Sequence, residues 1–213
     1  MTPSKIFIIL GPPGSGKGTQ AQLLTEKLGF FLWETSSIVG GVIGRAEKGD
    51  FVKIEGKKYL FSDQAEIRRK GLLWDGCFVF YFSKKKLEEL AKEGKSIVMS
   101  GSPRNIEEAK RLLPLLKKLY GAKNITLLAL KLTPEMTIWR NSHRRECALA
   151  THSILYTKET AKLTRCPLDG SKLMRRKDDN PKAIKIRLKQ YEEKTSLVFD
   201  FFRNQMIKVK EIN

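Results

Sequence analysis

The sequence predicts an α/β fold in which a largely parallel sheet is covered by helices on both faces. Short apolar runs alternate with stretches of helical periodicity along the 213 residues, as is typical of successive strand–helix units. The first run, residues 6–10, is apolar at every position, which favours a strand buried on both faces. Helix-start patterns with proline in the first turn recur at Thr133-Pro134 and Asn180-Pro181.

The remaining elements follow in order along the chain. Further core strands are predicted at residues 30–33, 96–100, 125–132 and 206–212. Helices are predicted at residues 17–28, 83–93 and 105–119, after Thr133, and from Asn180 to about Phe202. Two stretches fit the alternation poorly: residues 36–75 are predicted to be helical but weakly apolar, and residues 144–179 are polar and irregular.

These two stretches are predicted to be insertions at the rim of one substantial core, for which the chain is long enough. We expect the core to consist of residues 1–34, 76–143 and 180–213. The first insertion then spans residues 35–75, and the second spans residues 144–179.

Composition narrows the functional classes. Lys and Arg number 41 against 23 Asp and Glu, so the formal net charge is +18. This balance favours a polyanionic partner, either nucleic acid or phosphate-rich small molecules, unless the surface is simply rich in lysine. No apolar run approaches the roughly 18 residues of a membrane span, and no signal-peptide pattern is present. Three cysteines are too few for a disulfide framework, so we expect a cytoplasmic protein.

The most informative motif is a glycine-rich loop, residues 11–19, between the first predicted strand and the first predicted helix. Backbone N–H groups of such a loop form an anion site, and the next helix points its positive end at the ligand. Lys17 is placed to reach the β- and γ-phosphates of a nucleotide, and Thr19 to serve a Mg²⁺ ion. The residues predicted to bind ATP here are Gly14, Ser15, Gly16, Lys17, Gly18 and Thr19.

The loop from Gly11 to Gln20, Gly-Pro-Pro-Gly-Ser-Gly-Lys-Gly-Thr-Gln, resembles that of the adenylate kinase family of nucleoside monophosphate (NMP) kinases. The resemblance covers most of the chain and is weakest in residues 36–70. It implies the P-loop kinase fold, with a five-stranded parallel sheet. It also makes residues 35–75 an NMP-binding segment, called here the acceptor segment, and residues 144–179 a mobile lid.

The resemblance implies transfer of the γ-phosphoryl group of ATP, with Mg²⁺, to an NMP, and AMP is the expected acceptor. A kinase for CMP, UMP or a deoxynucleotide is one alternative. A nucleotide-dependent nucleic-acid-binding protein with a decayed acceptor site is another, suggested by the charge of +18. We expect a monomer whose partners are ATP and an NMP, without nucleic acid or membrane.

Phosphoryl transfer between two polyanions needs cations around the reacting phosphates. The resemblance implies that Lys17 and five arginines are catalytic. The arginines are Arg104, Arg140, Arg144, Arg176 and Arg187. It assigns Arg104 to the acceptor phosphate, and Arg140 and Arg144 to the phosphates of ATP. Arg187 lies among apolar residues of its predicted helix, where a charge needs an anionic partner or a ligand.

The acceptor site departs from the family pattern. The residues expected to contact the acceptor are Thr35, Arg45, Leu72, Leu73, Trp74, Gly101, Ser102, Pro103, Arg104, Glu108, Arg176 and Arg187. Gly40 replaces the family's phosphate-binding arginine, and Arg45 is its predicted substitute. Glu108 replaces a base-reading glutamine, and it also completes a capping box with Asn105, so both roles are open. Ser100 replaces an aspartate near the metal.

The lid carries eight Lys or Arg against three acidic residues between 144 and 176, which suits a cover for phosphates. Cys147, Cys166 and Asp169 resemble three of the four ligands in the zinc-binding version of this lid. At the remaining ligand position this chain has Ala150. His152 is the substitute fourth ligand for a tetrahedral zinc ion. The alternative is a three-ligand remnant that binds no metal.

Overall fold

The computed structural model describes residues 4–70, 74–149, 153–175 and 179–212. The strands are β1 (Ile6–Leu10), β2 (Phe31–Trp33), β3 (Phe51–Ile54), β4 (Lys57–Leu60), β5 (Ile97–Ser100), β6 (Ile125–Leu130), β7 (Arg145–Cys147), β8 (Ser153–Ile154), β9 (Leu173–Met174) and β10 (Lys208–Ile212). The α-helices are α1 (Lys17–Leu28), α2 (Thr35–Gly44), α3 (Phe61–Arg69), α4 (Gly76–Lys92), α5 (Ile106–Tyr120), α6 (Pro134–His143), α7 (Pro181–Gln190) and α8 (Ser196–Asn204).

Five strands form one parallel sheet in the order β10-β6-β1-β5-β2. The predicted α/β fold with a five-stranded parallel sheet is therefore confirmed. β1 lies between β5 and β6, and Ile9 of β1 is paired with Ser100 at the end of β5. The loops that follow β1 and β5 consequently leave the same edge of the sheet side by side. That carboxyl edge is where ligands bind in open α/β sheets.

The sheet is apolar on both faces because helices cover both. Successive side chains of each strand point to opposite faces and pack against one helical layer or the other. Ile8 belongs to the larger core cluster, which includes Leu113 of α5 and Phe202 of α8, all within 1% of full burial. Ile9 points to the opposite face, where it belongs to a cluster with the buried Ala21 of α1. Helices on both sides thus hold the sheet edge, and the loops it carries, in a fixed position.

The acceptor segment contains a β-hairpin of β3 and β4 between α2 and α3. The helical prediction for residues 36–75 is wrong for these strands. Glu55 and Gly56 have φ values of 51° and 81°, and two consecutive left-handed residues form the turn that best matches the twist of a hairpin. Ile54 and Tyr59 are buried from the two strands, so packing stabilises the hairpin where helical propensity does not.

Two helices differ from their predicted limits. α4 begins at Gly76 instead of residue 83, because the carboxylate of Asp75 caps it by accepting a hydrogen bond from Cys77 N at 2.8 Å. The predicted helix after Asn180 is divided into α7 and α8 by a π-helical turn, Tyr191–Thr195. Among the described residues, no helix is both long enough and apolar enough to cross a membrane.

The lid contains a small antiparallel sheet in the order β8-β7-β9. Helices α6 and α7 precede and follow it in the chain and pack against each other. Cys147, Ile154 and Cys166 form its small buried cluster. The lid is therefore built on two helices whose other ends belong to the core.

Candidate active site

The glycine-rich loop between β1 and α1 is closed by the side chain of Lys17. Its Nζ donates hydrogen bonds of 2.8 Å to the backbone oxygens of Gly11 and Pro12. Gly14 has a φ of 78°, and a Cβ at this position would lie 2.5 Å from Nδ2 of Asn141 in α6. The loop therefore wraps around the lysine ammonium and packs closely against α6, a contact that only glycine permits.

Lys17 is surrounded by arginines from three other parts of the chain. Burial, as the largest cause, and the charges of Arg187, Arg104 and Arg144, in that order, together lower the pKa of its ammonium to about 8. A set of like charges gathered at a sheet edge is a site for a polyanion, because only an anion relieves their repulsion. The structure thus brings together four of the six predicted catalytic residues.

Arg140 and Gly101 also lie beside the loop. The Cβ of Arg140 is 3.5 Å from the position of a Cβ on Gly14, and Cε of Lys17 is 3.9 Å from that of a Cβ on Gly101. The loops after β1 and β5 and the end of α6 therefore meet at Lys17. The predicted residues Ser15, Gly16, Gly18 and Thr19 occupy the loop and the first turn of α1.

A buried carboxylate, Asp179, joins two of the arginines. Nε and Nη2 of Arg144 donate to its two oxygens at 2.9 and 2.7 Å, and Nη1 of Arg187 donates at 3.4 Å. The Asp179 side chain is only 1% exposed. It is the anionic partner that the apolar surroundings of Arg187 require. Asp179 was missed as a site residue, although its place directly before the Asn180 cap was a signal.

We expect Asp179→Asn to destabilise the ligand-free protein by about 3 kcal/mol, because it removes the buried carboxylate that accepts two hydrogen bonds from the partly buried Arg144 and one from Arg187. Urea unfolding monitored by circular dichroism measures this change. The control is Asp200→Asn, which breaks the exposed ion pair with Arg203 and should cost less than about 1 kcal/mol. Equal losses in the two variants would contradict the role of Asp179.

The loop after β5 is braced by Glu108. Its carboxylate accepts a 2.8 Å hydrogen bond from Arg104 N and a second bond from the Ser102 hydroxyl. Glu108 N donates to Asn105 Oδ1 at 2.8 Å, which is the N-cap half of the predicted capping box, whereas the Glu108 carboxylate binds Arg104 N in place of Asn105 N. Nε of Arg104 donates to Gly101 O at 3.0 Å. Both carboxylate oxygens of Glu108 are thus used within the loop that also contains Pro103, which favours the structural role over the base-reading role.

The acceptor segment starts at the same sheet edge. Thr35 follows β2, and its hydroxyl accepts a hydrogen bond from Nε1 of Trp33 at 3.2 Å. Nε1 of Trp74 donates to Gln64 O in α3 at 3.0 Å, so Trp74 is fixed against that helix. These two contacts tie both ends of the described acceptor segment to neighbouring residues.

Arg45 lies at the C-terminal end of α2, five residues after Gly40, and is therefore about 140° from it around the helix axis. It lines a cleft of about 620 Å³ with Phe31 and Lys85. This placement separates Arg45 from the helix face that carries Gly40. Four predicted site residues fall outside the described residues and stay predictions: Leu72, Leu73, His152 and Arg176.

The lid brings Cys147, Cys166 and Asp169 together, with their ligand atoms all within 4.8 Å of one another. Sγ of Cys147 donates to Asp169 Oδ2 at 3.0 Å, and the backbone and hydroxyl of Ser171 donate to Oδ1 at 2.9 and 2.7 Å. These hydrogen bonds hold the pKa of Asp169 well below its usual range, whereas burial raises the pKa of Cys166. Two thiols and a carboxylate are three of the four ligands of a tetrahedral zinc site.

Comparison with known proteins agrees with this geometry. A family model described as adenylate kinase matches residues 9–207. The adenylate kinase of Mycoplasmopsis pulmonis is 32% identical over 97% of this chain and 90% of its own length. That of Chlamydia pneumoniae is 31% identical over 95% of this chain and 87% of its own length. That of Archaeoglobus fulgidus is 29% identical over 94% of this chain and 87% of its own length.

Proposed function

The chain belongs to the adenylate kinase family, and from this premise we propose that it transfers the γ-phosphoryl group of ATP to AMP, giving two ADP. It is a nucleoside monophosphate kinase by family. The observation that supports the proposal best is the arrangement of Arg104, Arg144 and Arg187 around Lys17 at the carboxyl edge of the sheet. The adenylate kinase names of the relatives support AMP as the acceptor.

The chemistry requires charge neutralisation and positioning, without a general base. The attacking atom is an oxygen of the acceptor phosphate, which is already ionised, and the γ-phosphoryl group passes to it as its bond to the β-phosphate oxygen breaks. Lys17 would contact the β- and γ-phosphates, and Arg104 the acceptor phosphate. Arg144 and Arg187 would exchange Asp179 for phosphate oxygens. Each of these contacts would lower the free energy of the transition state by stabilising the charge that develops there.

The family uses ATP together with Mg²⁺, and the hydroxyls of this site fit such an ion. Thr19 is exposed in the first turn of α1, and Ser100 ends β5 at the same sheet edge. Mg²⁺ prefers oxygen ligands and is usually held by one or two protein groups together with substrate phosphates. Thr19 and Ser100 would hold the ion, which neutralises phosphate charge when it is bound.

We propose that the chain is divided into the three functional parts implied by the resemblance: a core, the acceptor segment and the lid. Closure of the lid would exclude water from the transferring phosphoryl group. Arg144 lies where α6 meets the lid, and its partner Asp179 lies where the lid returns to α7. We further propose that the enzyme acts as a cytoplasmic monomer, and light scattering of the purified chain would test its oligomeric state.

The decisive experiment measures diphosphate formation from ATP and Mg²⁺ with AMP, CMP, UMP, GMP and dAMP in turn. The fastest turnover with AMP would support the proposal. The fastest turnover with another monophosphate would keep the phosphotransferase and reassign its acceptor. Failure of every acceptor, despite ATP binding, would overturn the proposal and favour the nucleic-acid-binding alternative.

We propose that the Cys147–Cys166–Asp169 cluster of the lid holds its fold without a metal ion. A structural zinc site is closed by four ligands, and this chain has Ala150 where the resemblance places the ligand that would complete Cys147, Cys166 and Asp169. The hydrogen bonds from Cys147 and Ser171 to Asp169 already join the end of β7 to the turn that precedes β9. The fit to zinc is therefore incomplete.

Atomic absorption should accordingly find well below one zinc ion per purified chain, and dialysis against EDTA should leave Tm unchanged. Bound structural zinc would contribute directly to folding, so its removal would lower Tm. The Cys77→Ser variant controls for zinc held nonspecifically by a thiol outside the lid. One zinc ion per chain, lost on EDTA treatment together with thermal stability, would contradict the proposal and point to His152.

A further inference from the structure

The acceptor segment must supply positive charge for the acceptor phosphate, and this requirement rests on the function proposed above. The resemblance expects that charge at residue 40, where this chain has glycine. Gly40 lies in the interior of α2 without a left-handed backbone angle, so its conformation gives no reason for glycine. The reason lies in what occupies the space beside it.

That space is filled by Arg68 of α3. A Cβ on Gly40 would overlap Nη1 of Arg68, and it would lie 2.7 Å from Cζ and 3.2 Å from Nη2. The guanidinium group of Arg68 therefore rests directly on the α2 backbone. Any side chain at residue 40 would displace it. A positive charge is thus present at this place, but it comes from another helix.

Arg68 is available to bind a ligand. Within the described residues its guanidinium makes no hydrogen bond or ion pair, and its one recorded interaction is with the ring of Trp74, 5.6 Å from Cζ. Its five N–H donors match the oxygens of a phosphate, which a planar guanidinium binds through two parallel hydrogen bonds. The indole of Trp74 holds the group in position without using those donors.

A second polar group on the same face of α3 has no hydrogen-bond partner for its oxygen within the described part of the chain. Gln64 lies one helical turn before Arg68, is only 6% exposed, and has an Oε1 without a hydrogen-bond partner among the described residues. Buried amide oxygens are rarely left unpaired, because the loss of water is then uncompensated. The Gln64 oxygen accepts hydrogen bonds only, so its partner would be a donor such as a hydroxyl or amino group of the nucleotide and not the phosphate.

Three other cations of the acceptor segment are less suitable. Lys57 pairs with Asp75 at 3.3 Å, and Lys70 pairs with Glu66 at 2.7 Å. The predicted substitute, Arg45, lines a different cleft on the far side of α2. We propose that Arg68 binds the phosphate of the acceptor nucleotide and that Gly40 is retained to leave room for its guanidinium group.

The test is steady-state kinetics of the full chain with its best acceptor, with each substrate varied in turn. Arg68→Ala should raise the KM for the acceptor about 10- to 100-fold, the equivalent of losing hydrogen bonds to a charged group. The KM for ATP should change less than about twofold, because α3 does not contribute to the ATP loop. Arg68→Lys should recover part of the loss. Arg69→Ala, which removes the neighbouring exposed arginine, is the matched control.

Gly40→Ala separates binding from packing. Alanine favours a helix interior over glycine by about 1 kcal/mol, so Tm should rise or stay constant while the new Cβ pushes the Arg68 guanidinium away. The KM for the acceptor should therefore rise in Gly40→Ala. The double variant Gly40→Ala/Arg68→Ala should have the same KM for the acceptor as Arg68→Ala alone. A purely structural role of Arg68 predicts the opposite pattern, in which Tm falls and KM does not change.

The outcomes also distinguish this inference from the proposed function. A wild-type chain that phosphorylates a monophosphate, with an unchanged KM in Arg68→Ala, would overturn the inference and leave the function intact. A rise in KM for Arg45→Ala but not for Arg68→Ala would return the role to Arg45. A wild-type chain that phosphorylates no monophosphate would overturn both.

Discussion

Lys17→Ala should lower kcat for phosphoryl transfer by about 10³-fold or more, because it removes the one cation placed inside the phosphate-binding loop. The ammonium donates to the oxygens of Gly11 and Pro12, and phosphate oxygens would replace these carbonyls as its partners. Initial rates of ADP formation at saturating ATP and AMP measure the effect. Lys27→Ala, at the exposed end of the same helix, is the control and should retain full activity.

The same lysine sets a pH dependence. Its pKa in the ligand-free protein is lowered to about 8, so the ammonium is charged at neutral pH and loses its proton above pH 8. ATP affinity should therefore weaken as the pH rises through this value, and calorimetry at neutral pH should detect proton uptake by the fraction that is neutral. A pH-independent affinity, or full activity of Lys17→Ala, would contradict the assignment of Lys17.

Arg187→Ala should lower kcat by about 10³-fold with little change in the fold, the scale expected for an arginine that stabilises a transferring phosphoryl group. Arg187 exerts the largest electrostatic effect on Lys17 among the three arginines, and Lys17 is the residue proposed to contact the β- and γ-phosphates. Asp179 keeps its two hydrogen bonds to Arg144 in this variant, so the buried carboxylate remains paired. Single-turnover rates separate the chemical step from product release.

Arg187→Lys should recover only part of the activity, because an ammonium lacks the planar pair of donors that a guanidinium offers to phosphate. Lys185→Ala removes an exposed cation two residues away on the same helix and serves as the control for net charge. A loss of kcat smaller than tenfold in Arg187→Ala, or an equal loss in Lys185→Ala, would exclude Arg187 from the transition state.

Features encoded by neighbouring residues were predictable from the sequence. The strand–loop–helix around Lys17 and the caps at Thr133 and Asn180 depend on contacts within a few residues, and each side chain of these caps accepts the expected backbone hydrogen bond. The five-strand alternation was equally predictable, because a buried parallel strand requires a continuous apolar run. Local chemistry thus determined the fold and the ATP loop.

Features that depend on packing between distant segments were not predictable. Asp179 meets Arg144 across 35 positions, and Arg68 meets Gly40 across 28, so neither pairing leaves a local pattern. The hairpin was missed for a related reason: its two short strands lack a strong alternation, and the packing of Ile54 and Tyr59 in one cluster with side chains of α2 and α4 selects them. Arg45 was chosen because it lies near Gly40 in sequence, whereas the helix turns it to the other side.

The burial of Lys17 beside three arginines has a consequence for the life of the protein in a cell. Because the folded state lowers the pKa of Lys17 from 10.5 to about 8, the ligand-free protein loses up to about 3 kcal/mol of stability below pH 8. It regains this stability only as the pH rises from 8 towards 10.5. A bound nucleotide supplies the missing negative charge at neutral pH and stabilises the fold by mass action. The empty enzyme is then the form most exposed to proteases, so a fall in nucleotide supply would shorten the lifetime of the enzyme that consumes it.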